Sequence, residues 1–258
     1  MRELVRETYR YRELIWALAL KELTLRYKRS VLGFMWALLN PALLMLVLTL
    51  VFSTIMRFPI PHYPIFLLSV LLPWTFFSQS LSYSVESIVG NADLIKKVSV
   101  AKLVFPVAAV VSNSINLLLS LIPLLFLVPL MRHPLYWTWL YLPVPILALI
   151  IFTLGTSFLF ATANVYYRDV AHIVQVILPA WFYVTPIIYT LDFIPAKNQW
   201  IFKLNPLIYV INGFRLSVYY GQLPRARSIM ASFVCAFIAL FLGFAFFRKY
   251  QDDFVFYM

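Results

Sequence analysis

The chain has 258 residues, of which 63% are hydrophobic and 12% charged, and its formal net charge is +11. A soluble domain is only about half apolar and roughly a quarter charged, so these proportions exclude an ordinary soluble fold. Apolar runs exceed the ~18 residues of a spanning helix and lack the alternation of a barrel, which predicts an all-α integral membrane protein. In so apolar a chain the basic excess reads as positive-inside bias and contact with anionic lipid, not as a nucleic-acid footprint. Cys235 is the only cysteine and cannot close an intrachain disulfide. His62, His133 and His172 show no metal-ligand spacing, so no metal site is expected. The first apolar run is too long for a signal peptide, and no cleavage is expected.

Residues 1–30 mix arginine and glutamate with Leu, Ile, Trp and Tyr. Tyr11, Leu14, Ile15, Leu18 and Leu25 share one helical stripe. This predicts an amphipathic helix at the membrane interface, or one laid on another chain. Arg26, Lys28 and Arg29 form a basic collar at the mouth of the first span. They are either topology anchors or cations for an anionic lipid headgroup. Span one, about 31–56, carries Asn40-Pro41 and should kink there. Span two, about 65–89, has Pro73-Trp74 near its start and a polar stripe of Ser80, Ser84 and Ser87.

A polar island follows, Gly90 to Pro106. Asn91 or Asp93 can cap a helix start, and Lys96, Lys97 and Lys102 follow. It reads as a short helix across the ends of two spans, either a solvated turn or a docking lever for a soluble partner. Span three is about 103–130, with Pro106, Pro123 and Pro129, and span four about 139–165. Span five, about 170–191, contains Pro179 and Pro186. The stretch 192–227 is too apolar for a solvated loop. Asn205 can cap a helix there, Pro206 start it and Gly221 stop it. Those fifteen residues would rise only ~22 Å, short of a ~30 Å hydrocarbon core. With a second short helix over 196–204 they read as a re-entrant pair or as surface helices. Span six is about 228–247, and 248–258 is a polar tail.

Six spans put both termini on one side. That side carries fourteen Lys and Arg and the other seven, which places the termini and the island in the cytoplasm. No repeat of the first three spans in the last three is visible. There is no phosphate-binding G-x-x-x-x-G-K-[ST] loop, so the chain is not expected to hydrolyse a nucleotide. Nearly all of the ten acidic residues sit at span ends or in loops, and Glu86, close to the inner end of span two, is the nearest to a buried one. A self-powered carrier usually needs ionisable groups inside its spans, and an intramembrane enzyme needs clustered acids or a metal. Aromatics make up 18% of the chain. Phe34, Trp36, Phe77, Tyr83, Trp181 and Tyr183 lie within spans. They either pack against helices and lipid or offer ring faces over which the C–H face of a sugar can slide.

Several motifs in order carry a resemblance. K-E-L-T-L-R-Y-K-R-S-V-L-G-F-M-W-A-L-L-N-P (Lys21 to Pro41) is similar to the start of the membrane subunit of ABC-2-type polysaccharide exporters. L-P-W-T-F-F-S-Q-S-L (Leu72 to Leu81), N-A-D-L-I-K-K-V (Asn91 to Val98), Y-Y-R-D-V (Tyr166 to Val170), T-P-I-I-Y (Thr185 to Tyr189) and N-P-L-I-Y-V-I-N-G-F-R (Asn205 to Arg215) continue it. The resemblance covers essentially the whole chain and is strongest to the O-antigen and teichoic-acid exporters.

It implies a six-span half-transporter in a bacterial inner membrane, which dimerises and binds two copies of a separate ATP-binding subunit. ATP and magnesium would be held by that subunit, and this chain would carry no cofactor and no catalytic residue. The implied substrate is a polysaccharide on undecaprenyl pyrophosphate, moved from cytoplasm to periplasm. A coupling helix at about 91–100 would dock the ATPase through Asn91, Asp93, Leu94, Ile95, Lys96 and Lys97. The short helices at about 195–221 would form an outer gate with Asn205, Pro206, Arg215 and Gly221. An ABC-2 exporter of drugs or small lipids is the rival on the same fold, and a glycan-assembly enzyme or a membrane scaffold are rivals of other classes.

Overall fold

The computed structural model describes residues 2–28, 30–98 and 100–258. Arg29 of the expected collar lies outside the described residues. All regular structure among the described residues is helical. That is what a bilayer demands, since a helix satisfies its own backbone where no water can.

Two helices open the chain, α1 (Arg2–Arg10) and α2 (Arg12–Tyr27). Then come α3 (Met35–Thr49), α4 (Tyr63–Ser87), α5 (Ala92–Lys97), α6 (Val104–Leu130) and α7 (Pro143–Tyr166). The remainder is α8 (Asp169–Val184), α9 (Gln199–Lys203), α10 (Pro206–Val218), α11 (Ala226–Tyr250) and α12 (Phe254–Tyr257). Among the described residues five stretches are long and apolar enough to cross a membrane: Met35–Ile55, Tyr63–Ser87, Val104–Leu130, Trp137–Tyr166 and Ala226–Tyr257. Pro41 does not break α3, which continues through it and passes into a π-helical stretch, Leu50–Ile55.

The helix α4 is the centre of the bundle. Of its most apolar window 78% is buried, against 11% for the span built on α3. Its serine stripe faces inward, with Ser80, Ser84 and Ser87 all buried. One apolar core runs from Tyr63 and Phe66 through Phe77 and Leu117 to Phe214. A second gathers Ile15, Ile95, Leu103, Phe158, Phe247 and Phe254 at the end of the bundle that carries α5 and both termini. That end is called the basic end below.

The expected fifth span needs correction. It was to run to about 191 with Pro186 inside, but α8 stops at Val184. The proline ring disfavours helical backbone in the residue before it, and Thr185 is extended at φ −96, ψ 128. Sixteen residues rise ~24 Å, less than the ~30 Å core. Yet α7 and α11 both end at the basic end, where the Tyr166 hydroxyl donates to the Tyr250 carbonyl. The chain between them must therefore return to the opposite end, a rise carried by α8 and the irregular residues after it.

The tightest helix contact joins α7 to α11. A Cβ on Gly155 would run into the backbone of Ala239 and Leu240, and one on Gly243 into the Gly155 carbonyl. Only hydrogen fits at either position. Gly243→Ala should therefore force the helices apart at an overpacking cost of about 1–3 kcal/mol. The check is thermal unfolding of the purified chain in detergent, where Gly243→Ala melts lower than wild type and Cys235→Ala, on the same helix, does not.

Candidate functional site

At the basic end a three-residue 3-10 turn, Val89–Asn91, leads directly into α5. Neither Asn91 nor Asp93 caps this helix. Asn91 instead donates its side-chain amide to the Ser87 carbonyl at 2.7 Å, closing the end of α4. Ile95 anchors α5 in the second core. Lys96 donates to the Met258 carbonyl at 2.7 Å, and Lys102 to the Gln251 carbonyl. The tail therefore lies under α5. Asp93 and Lys97 remain exposed, with Leu94 half-buried.

The collar divides. Lys28 is exposed, but Arg26 turns into the protein. Its Nη1 donates to Asn113 Oδ1 at 3.1 Å, and its guanidinium carbon stands 4.1 Å from the centre of the Tyr83 ring. Beside it the Tyr27 hydroxyl donates to Asn116 Oδ1 at 3.4 Å. Asn113 is nine residues into α6, about 14 Å along its axis at 1.5 Å per residue. So α2 leans along α6 and lifts Arg26 well above the helix end, where an interface helix lying flat would leave it. Arg26 Nε and Nη2 are buried without a partner among the described residues. So is Glu22 Oε2, one turn earlier. Sequence reading passed over Glu22, Asn113 and Asn116. The signal was present, since two asparagines three apart in an apolar span need partners.

The six in-span aromatics do not form one surface. Phe77 is fully buried, edge-on to Trp181 at 5.2 Å. Trp181 in turn donates Nε1 to Asn205 Oδ1 at 3.0 Å. Trp36 is half-buried beside Asn40 and Asn113. Phe34, Tyr83 and Tyr183 are exposed, and the Phe34 ring lies tilted against Tyr27 with centres 4.8 Å apart.

At the opposite end two of the four expected gate residues, Asn205 and Arg215, meet on one target, the irregular segment after α8. Residues 185–188 are buried. Asn205 donates its amide to Thr185 Oγ1 at 2.9 Å, and its Oδ1 accepts the Leu207 N–H at 3.1 Å as the cap of α10. Pro206 is the first helical residue. Arg215 is 6% exposed and donates to the Ile187 carbonyl at 2.8 Å and the Tyr189 carbonyl at 3.4 Å. Its guanidinium lies over Phe66, 4.1 Å from the ring centre. The Tyr63 hydroxyl holds the Ile188 carbonyl at 2.8 Å. Tyr63 had no place in the sequence reading. Gly221 has φ +64 and lies against the Tyr136 ring, past the end of α10 at Val218. Among the described residues no three of His, Cys, Asp and Glu gather as a metal site.

Burial pushes the Glu22 carboxyl up to about 7 from its usual 4.5, against the pull of Arg26 and Lys21. A group whose pKa rises on folding stabilises the fold fully below its unfolded value. That stability is lost as pH rises through the folded value. The purified chain should therefore lose thermal stability between about pH 5 and pH 8, and Glu22→Gln should flatten that slope. Parallel slopes for the two proteins would show that another group sets it.

Comparison with known proteins matches these elements to a family. The ABC-2 type transporter profile matches residues 13–219. An O-antigen export system permease protein, RfbA, of Myxococcus xanthus is 37% identical, over 98% of each chain. The RfbA permease of Klebsiella pneumoniae is 35% identical over 91% of this chain and 90% of its own. The polysialic acid transport protein KpsM of Escherichia coli is 27% identical over 92% of this chain and 93% of its own. The matched region takes in nearly all of α2, the half-buried Arg26, α5 and the clamp on residues 185–189, and this multi-pass chain belongs to the ABC-2 type transporter membrane family.

Proposed function

We propose that the chain is the transmembrane half of an ATP-driven exporter of lipid-linked polysaccharide, with undecaprenyl pyrophosphate as the anchor and O-antigen as the type of glycan. The observation that carries this reading is the likeness, across nearly the whole chain, to permeases named for O-antigen export and polysialic acid transport. In this reading residues 1–30 form the interface helix, 31–247 the six-span domain and 248–258 the tail. The basic end faces the cytoplasm of a bacterial inner membrane, as the charge bias favours. The almost uncovered span Met35–Ile55 suits contact with lipid or a second copy, and supports a homodimer. ATP and magnesium are held by a separate subunit, in two copies.

Within this reading residues 91–100 are the coupling element. The pairing of Lys96 with the tail leaves Asp93, Leu94 and Lys97 as the surface offered to the ATPase. The outer short helices form the gate, pinned by Asn205 and Arg215. The purified chain alone should hydrolyse no ATP. Cysteines at Asp93 and Lys97 should crosslink to the ATPase subunit in the assembled complex, and one at the buried Ile95 should not. Turnover by the isolated chain at the rate of the complex would sink the half-transporter reading, and crosslinks at none of these positions would sink the docking surface.

Arg26 is the residue of the collar best suited to a pyrophosphate. Two of its nitrogens are buried without partners, and an unpaired buried donor is costly unless a ligand meets it. Arg26→Gln should lower both export and stimulation of ATPase activity by undecaprenyl pyrophosphate, on the order of tenfold for one lost charge-assisted pair. Lys28→Gln, at an exposed position, should change both far less. Equal losses in the two variants would assign the effect to general surface charge.

A further inference from the structure

A recess at the basic end belongs to none of the roles above. It lies between the last turns of α4 and the first turns of α8, with a volume of about 140 Å³. Val85 and Val174 form its apolar floor, and Tyr83, Glu86 and Gln175 its polar wall. The two helices are tied there by one buried side chain. Asn164 donates to the Val85 carbonyl at 2.9 Å and accepts the Ala171 N–H at 3.2 Å. The recess is therefore a fixed feature of the bundle. The Tyr83 hydroxyl, the Glu86 carboxylate and the Gln175 amide make no hydrogen bond among the described residues, and all three side chains are exposed.

Which ligand suits an aromatic ring, a carboxylate, an amide and an apolar floor? A phosphate does not, because Glu86 would repel it. A second cation does not, because the Arg26 guanidinium at 4.1 Å from the same Tyr83 ring would repel it, while leaving the other face of the ring open to a neutral group. A neutral sugar ring uses every group. Its C–H face lies on the tyrosine. Its hydroxyls donate to the carboxylate, while the amide both donates and accepts. The volume is below the ~300–1,000 Å³ that encloses a drug-sized ligand, which suits one ring of a longer chain.

We infer that this recess, with Tyr83, Glu86 and Gln175 as its contacts, binds the sugar next to the anionic anchor of the exported chain. The inference rests on the proposed export of a lipid-linked glycan and adds a sugar-reading element to it. Arg26 does not line the recess, yet it touches the same tyrosine ring. A phosphate held by Arg26 and a sugar held by Glu86 would then be neighbours across a single residue. In a glycosyl phosphate these two groups are directly bonded.

The test uses the assembled transporter in nanodiscs and two lipids, the glycan-bearing undecaprenyl pyrophosphate and undecaprenyl pyrophosphate without sugar. Glu86→Gln and Gln175→Ala should each raise the concentration of the glycan lipid needed for half-maximal ATPase stimulation about tenfold, the worth of one good hydrogen bond. The response to the sugar-free lipid should shift much less. Equal shifts for both lipids, or no shift for either, overturn the inference. A direct measurement separates its failure from that of the export reading. Saturation-transfer NMR on the wild-type complex with methyl glycosides of mannose, galactose and N-acetylglucosamine should show transfer to at least one, lost in the Glu86→Gln/Gln175→Ala double variant. No transfer to any of them, or transfer that survives in the double variant, overturns the sugar recess. Transfer without stimulation of the wild type by either lipid overturns export and leaves the recess.

Discussion

The structure depends on how a broken helix keeps its backbone satisfied. After Val184 the chain leaves helical geometry because Pro186 forbids it, and residues 185–188 are buried all the same. Carbonyls stranded away from water need donors, and two side chains supply them, Tyr63 from α4 and Arg215 from α10, while Asn205, the cap of α10, holds the Thr185 hydroxyl beside them. Arg215 has several donors on one plane and can hold two carbonyls while resting on Phe66. No carboxylate is needed, because peptide dipoles take its place. The same bonds pin α10 to α8 and α4, so the shape of the opposite end follows from this one repair.

The basic end is organised by a different economy of charge. Its cations are spent on carbonyls and rings more than on acids. Lys96 and Lys102 hold the tail, Arg168 the Tyr257 carbonyl at 3.1 Å, and Arg26 an asparagine and a tyrosine. Exposed ion pairs contribute little to stability, whereas a cation with fixed carbonyl partners also fixes geometry. Among the described residues Asp93 and Lys97 on one helix, Lys28 and the spare nitrogens of Arg26 make no hydrogen bond, and an incoming partner or ligand can use them.

Much of this was legible in the sequence. Helical class, the long spans and the Asn205-Pro206 start of α10 follow from run length, capping chemistry and proline placement, and the short helix at 92–97 from its place as a polar island between two spans, although neither expected cap, Asn91 or Asp93, closes it. The end of span five was not, although Thr185-Pro186 spelled it out, because hydrophobicity continued to Leu191 and outweighed the proline. The direction of Arg26 was not legible either. Three basic residues in four look alike in sequence, and only the packing of α2 along α6 separates a buried guanidinium from an exposed lysine. The in-span aromatics mislead for a related reason. Span membership says nothing of which way a ring points, so Phe77 and Tyr83, less than two turns apart, end in opposite surroundings.

The close approach of Gly155 and Gly243 has a mechanical consequence. Where two helices touch backbone to backbone there are no side chains to change rotamer, and sliding one past the other would drive a carbonyl into its neighbour. Packed interfaces of this kind move as one body or not at all. The pair α7 and α11 is then a single strut running the depth of the bundle, closed at its foot by the Tyr166–Tyr250 bond, with α5 fastened to the tail there through Lys96 and the residues after α5 through Lys102. Any hinge that widens a path through the protein has to lie away from that strut, on the side of α4 where α3 stands almost uncovered.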